Sequence, residues 1–201
     1  MRITQITEER KHGFKVFLDE EYAFLLYEKE IEKYNLKEGI SITAEQYEEL
    51  QNEVIYPRGL QKALNLLRFM DRCEQELRGK LAQEAYPEEI IDRVMDYMRH
   101  YDYLSDERFA AGFIRSRKMR KSKLMIKTEL LQKGVSQELV DQALQAEYEE
   151  EPEDAERIAI QKAIAKKTGD PAALSYEEKQ KLMASLYRKG FDMGKVRDVI
   201  D

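Results

Sequence analysis

The sequence predicts a mainly α-helical protein: three tandem three-helix repeats in an elongated, modular array, preceded by a small N-terminal α+β segment. Three observations carry this. Among 201 residues there are only 9 Gly and 4 Pro, so helix breakers are scarce and long helices are favoured. From Leu60 onward the only periodicity is helical, and it matches itself at fixed offsets. Before that point, two short β-prone runs flank a polar break.

Those runs are FKVFL (Phe14–Leu18) and YAFLL (Tyr22–Leu26), separated by Asp19, Glu20 and Glu21. They predict a β-hairpin. Glu28–Tyr34 reads as a short helix that ends in Asn35 and then Gly39. Ile40–Thr43 reads as a third short strand. Thr43-Ala44-Glu45-Gln46 fits a capping box, with Thr43 as N-cap and Gln46 reaching back. A helix is expected from there to about Val54, with Pro57 and Gly59 ending it. The boundaries that follow are 1–56 for the N-terminal segment, then 57–100, 101–148 and 149–201 for the repeats.

The repeat emerges from internal comparison. YPEEIIDRVM (Tyr86–Met95) aligns with VSQELVDQAL (Val135–Leu144) at an offset of 49, matching Ile91 to Val140 and Met95 to Leu144. The second segment aligns with FDMGKVRDVI (Phe191–Ile200) at an offset of 56. The preceding helices match as well, through Leu77, Ile126 and Leu182 and through Leu81, Leu130 and Leu186. Further back, Leu60, Phe109 and Ile158 keep the offset of 49. The extra residues of the third repeat therefore fall around KKTGDPAALS, where Ser175–Glu178 forms another capping box. Gly134 and Gly190 each follow an LxxK end and are placed for a left-handed helix stop. Ser136 and Asp192 then offer N-caps to the next helix. Units this small bury their apolar faces by stacking on neighbours.

Composition excludes several classes. No apolar run approaches the roughly 20 residues that span a bilayer, and the N-terminus lacks a signal-peptide core. Cys73 is the one cysteine, so no internal disulfide can form, and it reads as a buried or half-buried helix residue. A cytoplasmic protein is expected. No phosphate-cradling glycine loop, HExxH or Cys/His metal spacing occurs. His12 and His100 are far apart in sequence and read as surface or helix-end residues. The acidic run Glu147–Glu156 has seven acids and no base, and reads as a solvated linker and helix start. No catalytic residue, metal or cofactor is expected, and the protein is not read as an enzyme.

Against a formal net charge of −6, residues Arg108–Lys127 hold eight Lys or Arg and no acid. Local potential decides whether a polyanion docks, because screening removes interactions beyond about 8–10 Å. Like charges one helical turn apart, such as Arg117 with Lys121 and Lys123 with Lys127, cost a few tenths of a kcal/mol per pair. Stability alone would favour interspersed Glu. The run is therefore a candidate docking face, comprising Arg115, Arg117, Lys118, Arg120, Lys121, Lys123 and Lys127. Repeat equivalence extends it, because Arg68, Arg117 and Lys166 share one position, Arg72 and Lys121 another, and Arg78 and Lys127 a third. Aromatic residues for base stacking are not interleaved with the run, since Phe109 and Phe113 read as core.

The stretch YLSDERFAAGFIRSRKMRKSKLMIKTELLQKGVSQELVDQAL resembles the signature unit of the RecX regulatory proteins. LNLLRFMDRCEQELRGKL followed by YPEEIIDRVMDYMRHYDYL is similar to the unit before it, and KLMASLYRKGFDMGKVRDVI to the last. The resemblance runs from about Leu60 to Asp201, and the N-terminal segment is similar to that of longer family members. It implies three tandem three-helix repeats in a curved array. It also implies a modulator of the RecA recombinase that binds the RecA filament on single-stranded DNA and inhibits ATP hydrolysis, filament extension and strand exchange. DNA repair, recombination and the SOS response are the implied setting. The implied partners are RecA and single-stranded DNA, with double-stranded DNA after them; no membrane is involved and the chain is a monomer. The sequence departs from the family at Lys121–Lys123, where a loop Gly is replaced, at Ala85, which stands where the later repeats have Gly134 and Gly190, and in the third-repeat insertion. A general DNA-binding module that acts without RecA, and a scaffold that meets an acidic protein patch, stay open as alternatives.

Overall fold

The N-terminal segment forms a three-stranded antiparallel meander, β1 (Ile3–Glu9), β2 (Gly13–Leu18) and β3 (Glu21–Tyr27), in the order β1-β2-β3. The computed structural model describes residues 1–9, 13–149 and 154–200; His12 and the centre of the acidic run lie outside them. Asp19 and Glu20 both have positive φ, 48° and 72°. That is the geometry of a two-residue hairpin turn whose twist matches the flanking strands. The expected third strand at Ile40–Thr43 is instead a single bridge, Ser41 to Arg2. The turn at Gly39 (φ 86°) leaves that segment too short to pair further, although it holds the start of β1 through Ile3 N–H donating to the Ile40 carbonyl at 2.8 Å. The true third strand, β1, escaped sequence reading because only Ile3 is buried in it, so it carries no apolar alternation.

After α1 (Glu28–Lys33), the Thr43 capping box starts α2 (Ala44–Leu50). Gln46 N–H donates to Thr43 Oγ1 at 3.2 Å, and Thr43 N–H to Gln46 Oε1 at 3.0 Å. Pro57 and Gly59 do not end this helix. A widened turn over Gln51–Ile55, in which Tyr56 N–H bonds the Gln51 carbonyl, carries it into α3 (Tyr56–Phe69). The widened turn places Pro57 at the first turn of α3, where its missing N–H leaves no partner stranded. Gly59 sits inside α3 because α5 crosses there: a Cβ at Gly59 would lie 3.3 Å from the Tyr86 ring and 3.4 Å from Val94.

The repeats follow as α3 with α4 (Glu74–Gln83) and α5 (Glu88–His100), then α6 (Asp106–Arg117), α7 (Lys123–Gln132) and α8 (Gln137–Glu149), then α9 (Ala155–Ala165), α10 (Tyr176–Arg188) and α11 (Met193–Ile200). Contacts divide the chain into two compact units, Met1–Leu104 and Ser105–Asp201. In the first, the sheet and the first repeat share one core, in which Val16, Phe24 and Leu26 join Leu50, Leu77 and Ile91. Arg58 ties the two parts with its guanidinium on Glu30 at 2.9 Å and on the Leu25 carbonyl. In the second unit the repeat-equivalent positions are again the buried ones: Ile126 and Leu182, Leu130 and Leu186, Val140 and Val196, Leu144 and Ile200.

Each middle helix stops in the same way. Gly134 and Gly190 have φ of 90° and 73°, and Ala85 takes the same left-handed conformation at 59°. Ser136 and Asp192 cap the following helices, accepting from Leu139 N–H at 3.3 Å and Lys195 N–H at 2.9 Å. A left-handed alanine costs about 1–2 kcal/mol, while glycine adds about 0.4–1 kcal/mol of unfolded-state freedom. Ala85→Gly should therefore stabilise the first unit by roughly 0.5–1 kcal/mol. Gly190→Ala should destabilise the second, because its Cβ would also meet Leu124 at 3.1 Å and Ser122 Oγ at 3.2 Å. Urea unfolding midpoints measure both; an Ala85→Gly midpoint at or below that of the parent would count against strain at this turn.

Candidate nucleic-acid interface

The basic stretch is not one helix. α6 ends at Arg117, residues 118–121 form a turn, and Ser122 caps α7 by accepting Met125 N–H at 3.1 Å. The helical repulsion argument therefore holds for Lys123 with Lys127 and not for Arg117 with Lys121. Ser122 is buried, and its hydroxyl donates to the Lys189 carbonyl of the third repeat. The turn is thereby anchored at its base while its cations project from it.

The structure sorts the candidate residues by how they are held. Lys118 is only 5% exposed. Its Nζ donates to the Glu147 carbonyl at 2.8 Å and pairs with the Glu147 carboxylate at 3.4 Å. It is a structural clasp between α6 and α8 and cannot belong to a docking face. Arg78 and Lys127 are clasps of another kind. Arg78 joins α4 to α5 through Glu88 and Asp92, and Lys127 joins α7 to α8 through Asp141. The two pairs occupy equivalent repeat positions. The hydrogen bond that Arg78 donates to Asp92 holds the Arg78 pKa above its ordinary value, and the one from Lys127 holds the Asp141 carboxyl below its own. Equivalence here accompanies an ion pair between the second and third helices of each of these two repeats.

Of the remainder, Arg115, Arg120, Lys123, Arg68 and Lys166 are exposed, and Arg117, Lys121 and Arg72 are half-buried. Arg115 is exposed, with Nε 2.9 Å from Glu147 Oε1. Arg117 lies over the Phe113 ring at 3.6 Å and points its Nε toward Glu129 at 3.9 Å. Lys121 pairs with the same Glu129. Lys123 is exposed, with its ammonium 5.1 Å from the Tyr148 ring. Arg120 is exposed and makes no ion pair with any described residue. Exposed pairs of this kind contribute about 0–1 kcal/mol, so a phosphate can replace their partners at little cost. Arg68 and Lys166 are exposed at the ends of α3 and α9. Arg72 is half-buried, with a buried Nε that has no hydrogen-bond partner among the described residues.

Two cations escaped sequence reading. Arg188 and Lys189, exposed at the end of α10, share a groove of about 320 Å³ with Leu124 and Met125 of α7. The signal was the adjacent pair before Gly190, but sequence alone does not bring that turn beside the start of α7. The acidic run is also less solvated than expected. Glu147 holds Arg115 and Lys118, while Glu156 is buried 3.5 Å from Lys195. Burial works against ionising Asp154, yet the hydrogen bond from Lys195 and those from Arg157 and Glu156 N–H keep its carboxyl below the usual range. Next to the basic turn a second groove, of about 650 Å³, is walled by Lys127, Tyr148, Glu156 and Asp192. Its carboxylates make it a poor seat for phosphate. Burial, with Glu156 and Asp154 nearby, pushes the Tyr148 phenol up. Cys73 is buried at the N-cap of α4. No group of His, Cys, Asp and Glu among the described residues could hold a metal ion, and no described helix is long and apolar enough to cross a membrane.

Tandem three-helix modules carrying an outward basic turn define a helical-repeat protein. The models of the RecX three-helix domains match it module by module: the first over residues 60–98, the second over 105–144 and the third over 156–200. The regulatory protein RecX of Caldanaerobacter subterraneus subsp. tengcongensis is 31% identical, over 100% of this chain and 99% of its own. That of Clostridium acetobutylicum is 28% identical, over 96% and 91%. The chain belongs to the RecX family of regulatory proteins. A crystal structure of a regulatory protein RecX superposes with a TM-score of 0.61 at 21% identity, covering 98% of both chains. RecX from Lactobacillus salivarius gives 0.56 at 23% identity, over 72% of this chain and 94% of its own. These two likenesses bear on the fold.

Removing one partner of a buried ion pair costs about 3–5 kcal/mol, because the other charge stays buried. Glu147→Ala leaves the residue-147 carbonyl accepting from Lys118 Nζ, so the loss in the second unit should be about 1.5–3 kcal/mol, short of the full cost of an unpaired buried charge. The double variant Lys118→Met with Glu147→Ala should recover much of that loss. Urea unfolding reads both, and a Glu147→Ala midpoint equal to the parent's would show that Lys118 does not need its partner.

Proposed function

We propose that this protein binds the RecA filament on single-stranded DNA and restrains it, lowering ATP hydrolysis, filament extension and strand exchange. The observation that carries this reading is the α6–α7 turn: three exposed cations, Arg115, Arg120 and Lys123, and two half-buried ones, Arg117 and Lys121, between two N-capped helices in a chain of a regulatory family. Lys and Arg at such a turn meet phosphates without reading bases. Arg188 and Lys189 extend the face within the same unit, and Arg72 and Lys166 are further phosphate contacts. Docked on protein and phosphate together, the repeats restrain filament motion because they bind one of its conformations better than the others. No residue acts as a catalyst, and the protein works in the cytoplasm as a monomer.

The second reading, a DNA-binding module independent of RecA, is favoured by the same cations. It predicts tight binding to bare DNA whose affinity falls with salt by a logarithmic slope of about 0.7 per phosphate neutralised on single strands. ATP hydrolysis by RecA on single-stranded DNA, titrated with this protein, separates the two. The native chain should inhibit at concentrations that leave bare DNA mostly unbound. The triple variant Arg117→Glu, Arg120→Glu, Lys123→Glu should need roughly tenfold more protein, from a loss of about 1.4 kcal/mol. Lys118 is kept because it belongs to the fold. Inhibition only where bare DNA is saturated would favour the RecA-independent module.

A further inference from the structure

The end of α3 breaks the pattern of the repeats. The residue after Arg68, Arg117 and Lys166 is Phe69 in the first repeat, Lys118 in the second and Lys167 in the third. Lys118 folds back onto Glu147, and Lys167 donates to Ser185 Oγ. Phe69 has no such return: it is 88% exposed, and Met70 after it is 55% exposed. Burying such a side chain would be worth roughly 1.5–3 kcal/mol, and the isolated chain forgoes it.

The surface continues beside it. Arg68 and Tyr103 wall a groove of about 380 Å³ with Leu64, Leu67 and Asp71. Tyr103 is 52% exposed and Tyr101 57%. The Tyr101 ring lies 4.5 Å from that of Tyr97 and 4.7 Å from His100. Desolvation, with the phenols of Tyr101, Tyr103 and Tyr56, pushes the Tyr97 hydroxyl up.

This composition is Phe, Met, Tyr and Arg with no Lys, which matches the cores of protein–protein interfaces, where Lys is depleted. The charges agree. Asp71 in the groove wall offsets Arg68, and Asp102 after Tyr101 is exposed as well. A balanced surface exerts no pull on a phosphate backbone, whereas single-stranded nucleic acid sites pair their aromatics with a positive groove. We propose that the aromatic surface of the first repeat docks on a folded protein and seats Phe69 in an apolar pocket of it. Under the function proposed above, on which this rests, that protein is a RecA protomer, and the α6–α7 turn meets DNA phosphate.

The test measures affinity for a fluorescent oligothymidylate, bare and coated with RecA. The proteins compared are the native chain, Phe69→Ser with Tyr101→Ala, and the basic-turn triple variant, each checked by thermal unfolding. Both altered aromatic side chains are exposed, and a second variant, Phe69→Leu, keeps an apolar anchor in case the double variant misfolds. The aromatic double variant should bind the coated strand at least about tenfold more weakly, as hot-spot loss implies, and bind bare DNA unchanged. Phe69→Leu should lose less than the double variant. The basic-turn variant should lose bare-DNA affinity. Equal losses on bare and coated DNA would make the aromatic surface a stacking platform and overturn the proposal. Unchanged binding to the coated strand by a folded aromatic variant would also overturn it, leaving the functional reading intact. If the native chain binds the coated strand no better than bare DNA, the functional reading fails and this inference fails with it.

Discussion

The left-handed turn that ends each middle helix fixes the rest of the repeat. In all three repeats the residue after the turn returns its N–H to the carbonyl five positions back: Tyr86 to Leu81, Val135 to Leu130 and Phe191 to Leu186, at 3.2–3.3 Å. This is the six-to-one bond of a Schellman stop. It brings the apolar residue after the turn back toward the buried leucine whose carbonyl it holds. It also sets the direction in which the third helix leaves. Once that direction is set, the same positions of the third helix fall into the core each time, and in the first two repeats an ion pair between second and third helices forms at matching places. The first repeat keeps this geometry with an alanine, which indicates how strongly the surrounding packing requires it.

Much of the helical architecture was legible because it is local chemistry. Thr43 and Ser175 with their reciprocal partners, Ser136 and Asp192 as caps, and the two glycines after LxxK all produced the stops and starts they announce. The failures are equally local in cause. Pro57 was read as a terminator because a regular helix cannot hold its ring, but a widened turn supplies the extra residue that removes the conflict. Strand β1 was missed because an edge strand with one buried residue has no alternation to detect.

The candidate site was legible in outline and not residue by residue. A run of one charge sign points to a basic surface, yet sequence does not say which cations already have partners at a distance. Glu147 is 29 residues from Lys118 in the chain, and Asp141 is 14 from Lys127. Both pairings depend on how α8 returns across its repeat. Periodicity is silent in the same way, since it aligns Arg78 with Lys127 without showing that each is paired to an acid of the following helix. Phe69 was invisible for the opposite reason: an apolar residue in an apolar stretch of helix looks like core until its exposure is known.

The unbroken run from α2 through the widened turn into α3 has a mechanical consequence. At 1.5 Å per residue it is a rod of roughly 39 Å, gripped along its length by the core that the sheet and first repeat share. One end bears Thr43 and the other bears Phe69. A load applied at Phe69 cannot be relieved by bending a linker between the N-terminal segment and the first repeat, because no linker exists there. It is transmitted as shear through Leu50, Ile55 and Ala63 into the whole unit. The N-terminal segment thus gives that helix the stiffness of a beam clamped along its span.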